Sequence, residues 1–298
     1  MKRALLVATL LAALVSAAGA AGPAGTSIPA GTRPFGVTAA GGFVWTADFA
    51  DGGVYRIDPR TNRMTARVTV GGSLYSAASD GRSLWIGSYS GDRVTRIDPR
   101  TRRIVARVKT GDQPIGIAVT GGAVWVANYG DGSVSRIDPR SNAVVATVDV
   151  GGHPESAVAA AGAVWVPQEE GYLLRLDPAT NSVTATIKVA DDPDYAAFCA
   201  GRIWVTAYRG AALSIVDPGR NAVVGRLAVA AGTQGIACAR HVWVANYDRG
   251  TLLQIDPQRR MVVRTIGIGL QPRAVVLAGG SVWVASGGSA VVDRVRIG

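Results

Sequence analysis

The residues whose types and spacing suggest chemistry are few. Glu169 and Glu170 stand side by side, and Asp191, Asp192 and Asp194 follow in the next polar stretch. Five carboxylates on one sector would repel one another unless solvated, protonated or bound to a cation. An all-oxygen ligand set suits Ca²⁺ or Mg²⁺ better than Zn²⁺. Cys199 and Cys238 are the two cysteines, a candidate disulfide if the chain meets an oxidising compartment and otherwise two small apolar thiols. His153 and His241 are the two histidines. A nucleophile elbow, a P-loop and a Rossmann fingerprint are all absent from the sequence, so no catalytic residue is assigned.

What must position these residues is a tandem repeat. All seven tryptophans (Trp45, Trp85, Trp125, Trp165, Trp204, Trp243 and Trp283) stand 39 or 40 residues apart. An Asp-Pro pair recurs in step at Asp58, Asp98, Asp138, Asp177, Asp217 and Asp256. Asp followed by Pro suits the first two positions of a type I turn, so these pairs read as architecture. In the third copy, 115–120, 123–127, 133–138 and 143–150 are short Val/Ile-rich β signals separated by turn residues. Four antiparallel strands repeated every forty or so residues are the blades of an all-β propeller. A large ring at one register of the second strand fills the wedge between blades.

The blade count closes the ring. The seventh copy stops after its third strand, and 26–30 reads as an orphan fourth strand. Pairing the two predicts seven blades over 26–298, with the N-terminal strand completing the last and no sheet edge left open.

Residues 1–20 read as a signal peptide: Lys2 and Arg3, an apolar run from Ala4 to Val15, then small residues at Ala18-Gly19-Ala20. The apolar run is too short to span a bilayer. The expectation is a secreted or periplasmic monomer cleaved near Ala20, with 21–25 a short linker. The chain is 48% hydrophobic with 38 glycines, which fits one large β domain. Its formal charge of +10 falls to +8 without Lys2 and Arg3, basic but not extreme.

In a propeller, the loops before the first strand and between strands two and three share one face, the top. The acids gather there, with Phe49, Tyr89, Tyr129, Tyr208 and Tyr247. The Asp-Pro turns share the bottom with Arg60, Arg63, Arg100, Arg102, Arg103, Arg140, Arg220, Arg259 and Arg260. Nucleic acid is not the expected partner, because single-strand binding needs cations and stacking rings in one groove. The basic face suits electrostatic contact with an anionic envelope. His153 and His241 fall on opposite faces and cannot share a site.

The start of the inner strand varies in chemistry from blade to blade: Phe35, Tyr75, Ile115, Glu155, Asp194, Gln234 and Arg273. The next residue is small in six blades, as crowding at the axis requires, and is Tyr195 in the fifth. This ring, with Tyr195, is the candidate ligand site, open to a small molecule or protein at the top face. The two cysteines lie near the ends of inner strands in adjacent blades. Counted from the strand starts they differ by one residue, which aims their side chains toward each other. At a radius of roughly 7 Å, sevenfold spacing sets the Cα atoms about 6 Å apart, within disulfide range, whereas at roughly 9 Å the gap is nearly 8 Å and a bridge would need backbone movement.

The stretch VWVANYGDGSVSRIDPRSNAVVATVDVGGHP, from Val124 to Pro154, resembles the repeat of the YVTN (YncE-like) family of bacterial β-propellers, with Trp in place of the family's first Tyr. The resemblance covers 26–298 and implies an exported seven-bladed propeller. A related repeat occurs in streptogramin (virginiamycin B) lyases, which use a catalytic histidine and a magnesium ion near glutamate. The position of their blade glutamate is here Asp48, Ser88, Asn128, Gln168, Ala207, Asn246 and Ser286. The reading is therefore a binding or scaffold propeller without chemistry. The alternatives are a lyase-like enzyme with a metal on its top face and a structural envelope protein.

Overall fold

The computed structural model describes residues 25–120 and 122–297. The expected signal peptide 1–20, its cleavage site and most of the linker lie outside the described residues. Seven four-stranded antiparallel sheets are arranged as the blades of a propeller. Blades one to six run through 34–69, 74–109, 114–149, 158–188, 193–228 and 233–267 in strand order from axis to rim. Blade seven is composite. Its inner strands are Pro272–Ala278, Ser281–Ser286 and Val291–Arg296, and its outer strand is Thr26–Pro29 from the other end of the chain.

The repeat's tryptophans hold neighbouring blades together. All seven are at most 1% exposed. Trp125 packs on Val164, Val166, Leu174 and Leu176 of the next blade, and Trp283 closes the circle against Val37, Val44 and Ile57 of blade one. Replacing one of these rings by Ala costs about 3–5 kcal/mol, transfer loss and cavity together.

The Asp-Pro turns form as their chemistry dictates. In all six, the Asp Oδ1 accepts the backbone N–H two residues on, at 2.7–2.9 Å. The fourth residue after each Asp turns left-handed, with φ between 49° and 63°. Asn fills that position in four turns (Asn62, Asn142, Asn181, Asn221), a residue that tolerates it well.

Those four asparagines have a second task. Arg96, Arg136, Arg175 and Arg294, each on the third strand of the preceding blade, donate to Asn142, Asn181, Asn221 and Asn62 at 2.7–3.1 Å. Each guanidinium also lies 4.8–5.6 Å from its own blade's indole. Where blade two carries Arg102 instead of Asn, Arg56 of blade one turns away. It stacks 4.2 Å over Phe43 and donates to Thr65.

Cys199 and Cys238, on the inner strands of blades five and six, are joined as a disulfide with Cα atoms 5.7 Å apart. Cys199 is buried, and both pack into the apolar layer between the blades with Trp204, Val242 and Val244.

Candidate functional site

The variable ring is built from bulges. On blade one, Pro34 pairs with Asp48 and Gly36 with Ala47, so Phe35 is left outside the ladder. Tyr75, Ile115 and Arg273 are skipped in the same way on blades two, three and seven. Blades five and six skip two residues each, Asp194-Tyr195 and Gln234-Gly235. On blade four, regular pairing is interrupted between Pro154 and Val158, where the Glu155 N–H still donates to the Pro167 carbonyl at 2.9 Å. A bulged residue is free of the pleat's alternation and can be re-aimed. Here all seven blades use it at the axis end of the inner strand.

The small residues that follow are set by contact. A Cβ on Gly36 would stand 2.6 Å from the nitrogen of Ala77, and one on Gly116 would stand 2.4 Å from the Cα of Ser156. Neighbouring inner strands are already touching there. Tyr195 breaks this rule by projecting into a cavity of about 120 Å³ on the axis, where Ser76, Gly116 and Ser156 also line the wall.

Above it, on the top face, lies an open pocket of about 360 Å³. Five of the expected ring residues line it: Phe35, Tyr75, Ile115, Glu155 and Arg273. Asp194 and Gln234 are each 5% exposed and are not among the lining residues. The top-loop rings Phe49, Tyr89 and Tyr129 complete the wall, together with Arg33, which sequence reasoning did not pick out. Phe35 stacks on Phe49 with centroids 4.6 Å apart, and Tyr75 stacks on Tyr89 at 6.1 Å. Tyr208 and Tyr247 instead pack on each other at 6.0 Å.

Charge is distributed unevenly around this pocket. The Arg273 guanidinium sits 4.3 Å from the Phe35 centroid, 5.1 Å from Tyr75 and 5.4 Å from Tyr247, and its Nη1 donates to the Tyr75 hydroxyl. Burial opposes its charge, but Tyr75 and Asp194 outweigh that and raise its pKa. Burial lifts the Tyr75 phenol well above its ordinary range. Glu155 is pushed up to about 9, by burial first and then by the charges of Asp194, Asp192 and Glu169. Asp194 is raised to about 7 by burial, with Arg273 holding it down and Asp192 pushing it up. At neutral pH the Glu155 carboxyl is therefore a hydrogen-bond donor.

The five carboxylates expected to hold Ca²⁺ or Mg²⁺ are not brought into one ligand set. Glu169 accepts the Tyr129 hydroxyl at 2.6 Å and pairs with Arg209 at 3.4 Å. Glu170 pairs with His153 at 2.7 Å, and Asp192 with Arg209 at 3.2 Å. Asp191 is exposed, while Asp194 is buried beside Arg273 and Gln234. Arg209, His153 and Tyr129 thus engage three of the five carboxylates. Among the described residues, no group of three or more His, Cys, Asp or Glu is arranged to hold a metal ion.

The position of the lyases' blade glutamate is structural in this chain. All seven occupants are at most 5% exposed. Asp48 accepts the backbone N–H groups of Thr32, Arg33, Ala50 and Asp51 at 2.6–2.9 Å. Gln168 donates to the carbonyls of Val150 and Gly151, and Asn246 to those of Ala230 and Ala231. These residues tie the top loops to the blades and so hold the pocket's rim. On the bottom face, all nine arginines singled out in the sequence are exposed.

The fold and its axial pocket define a seven-bladed propeller with one chemically irregular face. No family model matches the chain, and no curated protein matches it in sequence. In three dimensions it is similar to hydrazine synthase of Kuenenia stuttgartiensis, with a TM-score of 0.82 at 17% identity, covering 89% of this chain and 96% of that one. It is also similar to a streptogramin B lyase, with a TM-score of 0.78 at 14% identity, covering 92% and 96%. At such identities the likeness is one of fold.

Proposed function

We propose that this chain is a ligand-binding propeller that takes a small molecule into the top-face pocket. The observation that carries the reading is the ring of bulges. Seven blades that agree at their tryptophans differ in chemistry at the first position skipped at the start of the inner strand. Drift alone would not supply a concave space, an aromatic wall and a deeply set arginine at those positions. The YVTN-like repeat and the charged, then apolar, N-terminus support an exported protein. The lyase-like alternative has the fold in its favour but lacks the blade glutamates, and three of their positions, Asp48, Gln168 and Asn246, are spent on tying loops.

A thermal-shift screen on the protein and on Ile115→Trp, which fills the pocket with an indole, tests the proposal. Compounds that stabilise the protein should lose their effect in the variant. Equal stabilisation of both by every hit would move the binding site elsewhere.

A further inference from the structure

Resting on that pocket reading, we infer that the ligand is a small aromatic carboxylate, its anionic group held by Arg273 and its ring laid against the wall of Phe49, Tyr75 and Tyr89. Three independent observations point there.

The first is an unsatisfied donor. Among the described residues, the Nε of Arg273 is sealed from solvent and has no hydrogen-bond partner, while Nη1 is committed to Tyr75. With those two nitrogens turned into the protein, the rest of the guanidinium lines the pocket, where a carboxylate is the acceptor that suits its charge.

The second is the charge left over once internal pairs are made. Glu169 and Glu170, at the rim, are taken by Tyr129, Arg209 and His153. Glu155 faces the pocket with no side-chain hydrogen bond among the described residues, and pushed up to about 9 it offers a proton at neutral pH rather than a negative charge. Arg33, over Phe35 at 5.0 Å, adds a second cation. The surface presented to a ligand is thus two guanidiniums and one protonated carboxyl. Asp194 answers Arg273 from below the pocket.

The third is shape. Phe35, Phe49, Tyr75 and Tyr89 form one continuous aromatic wall with centroid separations of 4.6–6.3 Å. The space of about 360 Å³ is at the small end for ligand sites, which suits a compound with a single ring. An aromatic ring gains offset or edge contacts from such a wall that a saturated ring of equal size does not.

Calorimetric titration of the full-length protein with benzoate, 4-hydroxyphenylacetate, benzamide, benzylamine and glucuronate tests the class. The two aromatic carboxylates should bind, benzamide should be at least tenfold weaker, and benzylamine and glucuronate should give no heat at millimolar concentration. Arg273→Gln should weaken benzoate at least tenfold, and Arg100→Gln, exposed on the opposite face, should leave it unchanged. If Arg273→Gln does not fold, Arg33→Gln at the accessible edge should weaken benzoate severalfold. Glu155→Gln separates the charge classes: it keeps a donor, so benzoate binding should persist, whereas a cation site would lose affinity. Benzylamine or glucuronate binding more tightly than benzoate, or no heat from either aromatic carboxylate, overturns the class. If such benzylamine binding disappears in Ile115→Trp, the pocket stands and only the ligand class falls. Benzoate binding that persists in Ile115→Trp overturns the pocket itself.

Discussion

Arg294, on the last strand of the chain, donates through Nη1 to the Asn62 side chain at 2.7 Å and to the Pro59 carbonyl. It therefore clasps the first complete blade from the seventh, across 232 residues of sequence. Its guanidinium is also 4.8 Å from the Trp283 ring. Arg294→Ala should lower stability by about 2 kcal/mol, combining a charge-assisted bond with lost stacking. Asn62→Gly keeps the left-handed backbone and removes only the acceptor. Chemical denaturation of both single variants and the double variant should give a coupling of about 1 kcal/mol. Strict additivity would mean that the clasp contributes nothing.

Stability should also depend on pH through Glu155. Its folded pKa of about 9 lies above the ordinary 4.5, so the folded protein binds more protons than the unfolded chain between those values. Stability therefore falls as pH rises from about 4.5 to 9 and levels off beyond. Glu155→Gln removes this dependence. At pH 8.5 the variant should melt on the order of 10 °C above the parent, and near pH 4.5 the two should coincide. A constant difference across that range would count against the buried, neutral carboxyl.

The Cys199–Cys238 bridge closes a span of 39 residues between adjacent blades. Chain entropy assigns such a loop about 3–4 kcal/mol. Melting with reductant, or of Cys199→Ser/Cys238→Ser, should lower Tm by several degrees. Identical melting of the oxidised and reduced protein would show that the blades' packing makes the bridge redundant.

On the basic bottom face the expected behaviour is a salt-sensitive attraction to anionic surfaces. Cosedimentation with phosphatidylglycerol vesicles should be strong at low salt and largely lost where the Debye length shortens to roughly 5 Å. Arg100→Ser/Arg103→Ser should weaken it, because both side chains are exposed beside one turn. Sedimentation unaffected by salt would leave the arginines as simple solvation.

Much of this architecture can be read from residue types, because Trp and Asp-Pro are rare enough to mark one phase of a period. The ring could be found by comparing each blade with its neighbours, since the position carrying Phe35, Ile115 and Arg273 varies widely in chemistry. Its bulged geometry could not, because a skipped residue leaves the periodicity of so short a strand almost unchanged. The clasps were equally hidden: Arg96 and Asn142 are 46 residues apart and meet only when the blades are stacked. The acidic cluster misled for a related reason. Glu170 and Asp192 have their partners, His153 and Arg209, 17 residues away in each case, and sequence spacing does not say which loops face each other.

The bulges separate two tasks that most folds must share. A side chain that belongs to no ladder rung can be exchanged for one of different size or charge while the blade's hydrogen bonds and its tryptophan remain in place. The seven axial positions thus act as a replaceable lining on a fixed frame. A new specificity could be reached one blade at a time, each step judged by the ligand more than by the stability of the ring.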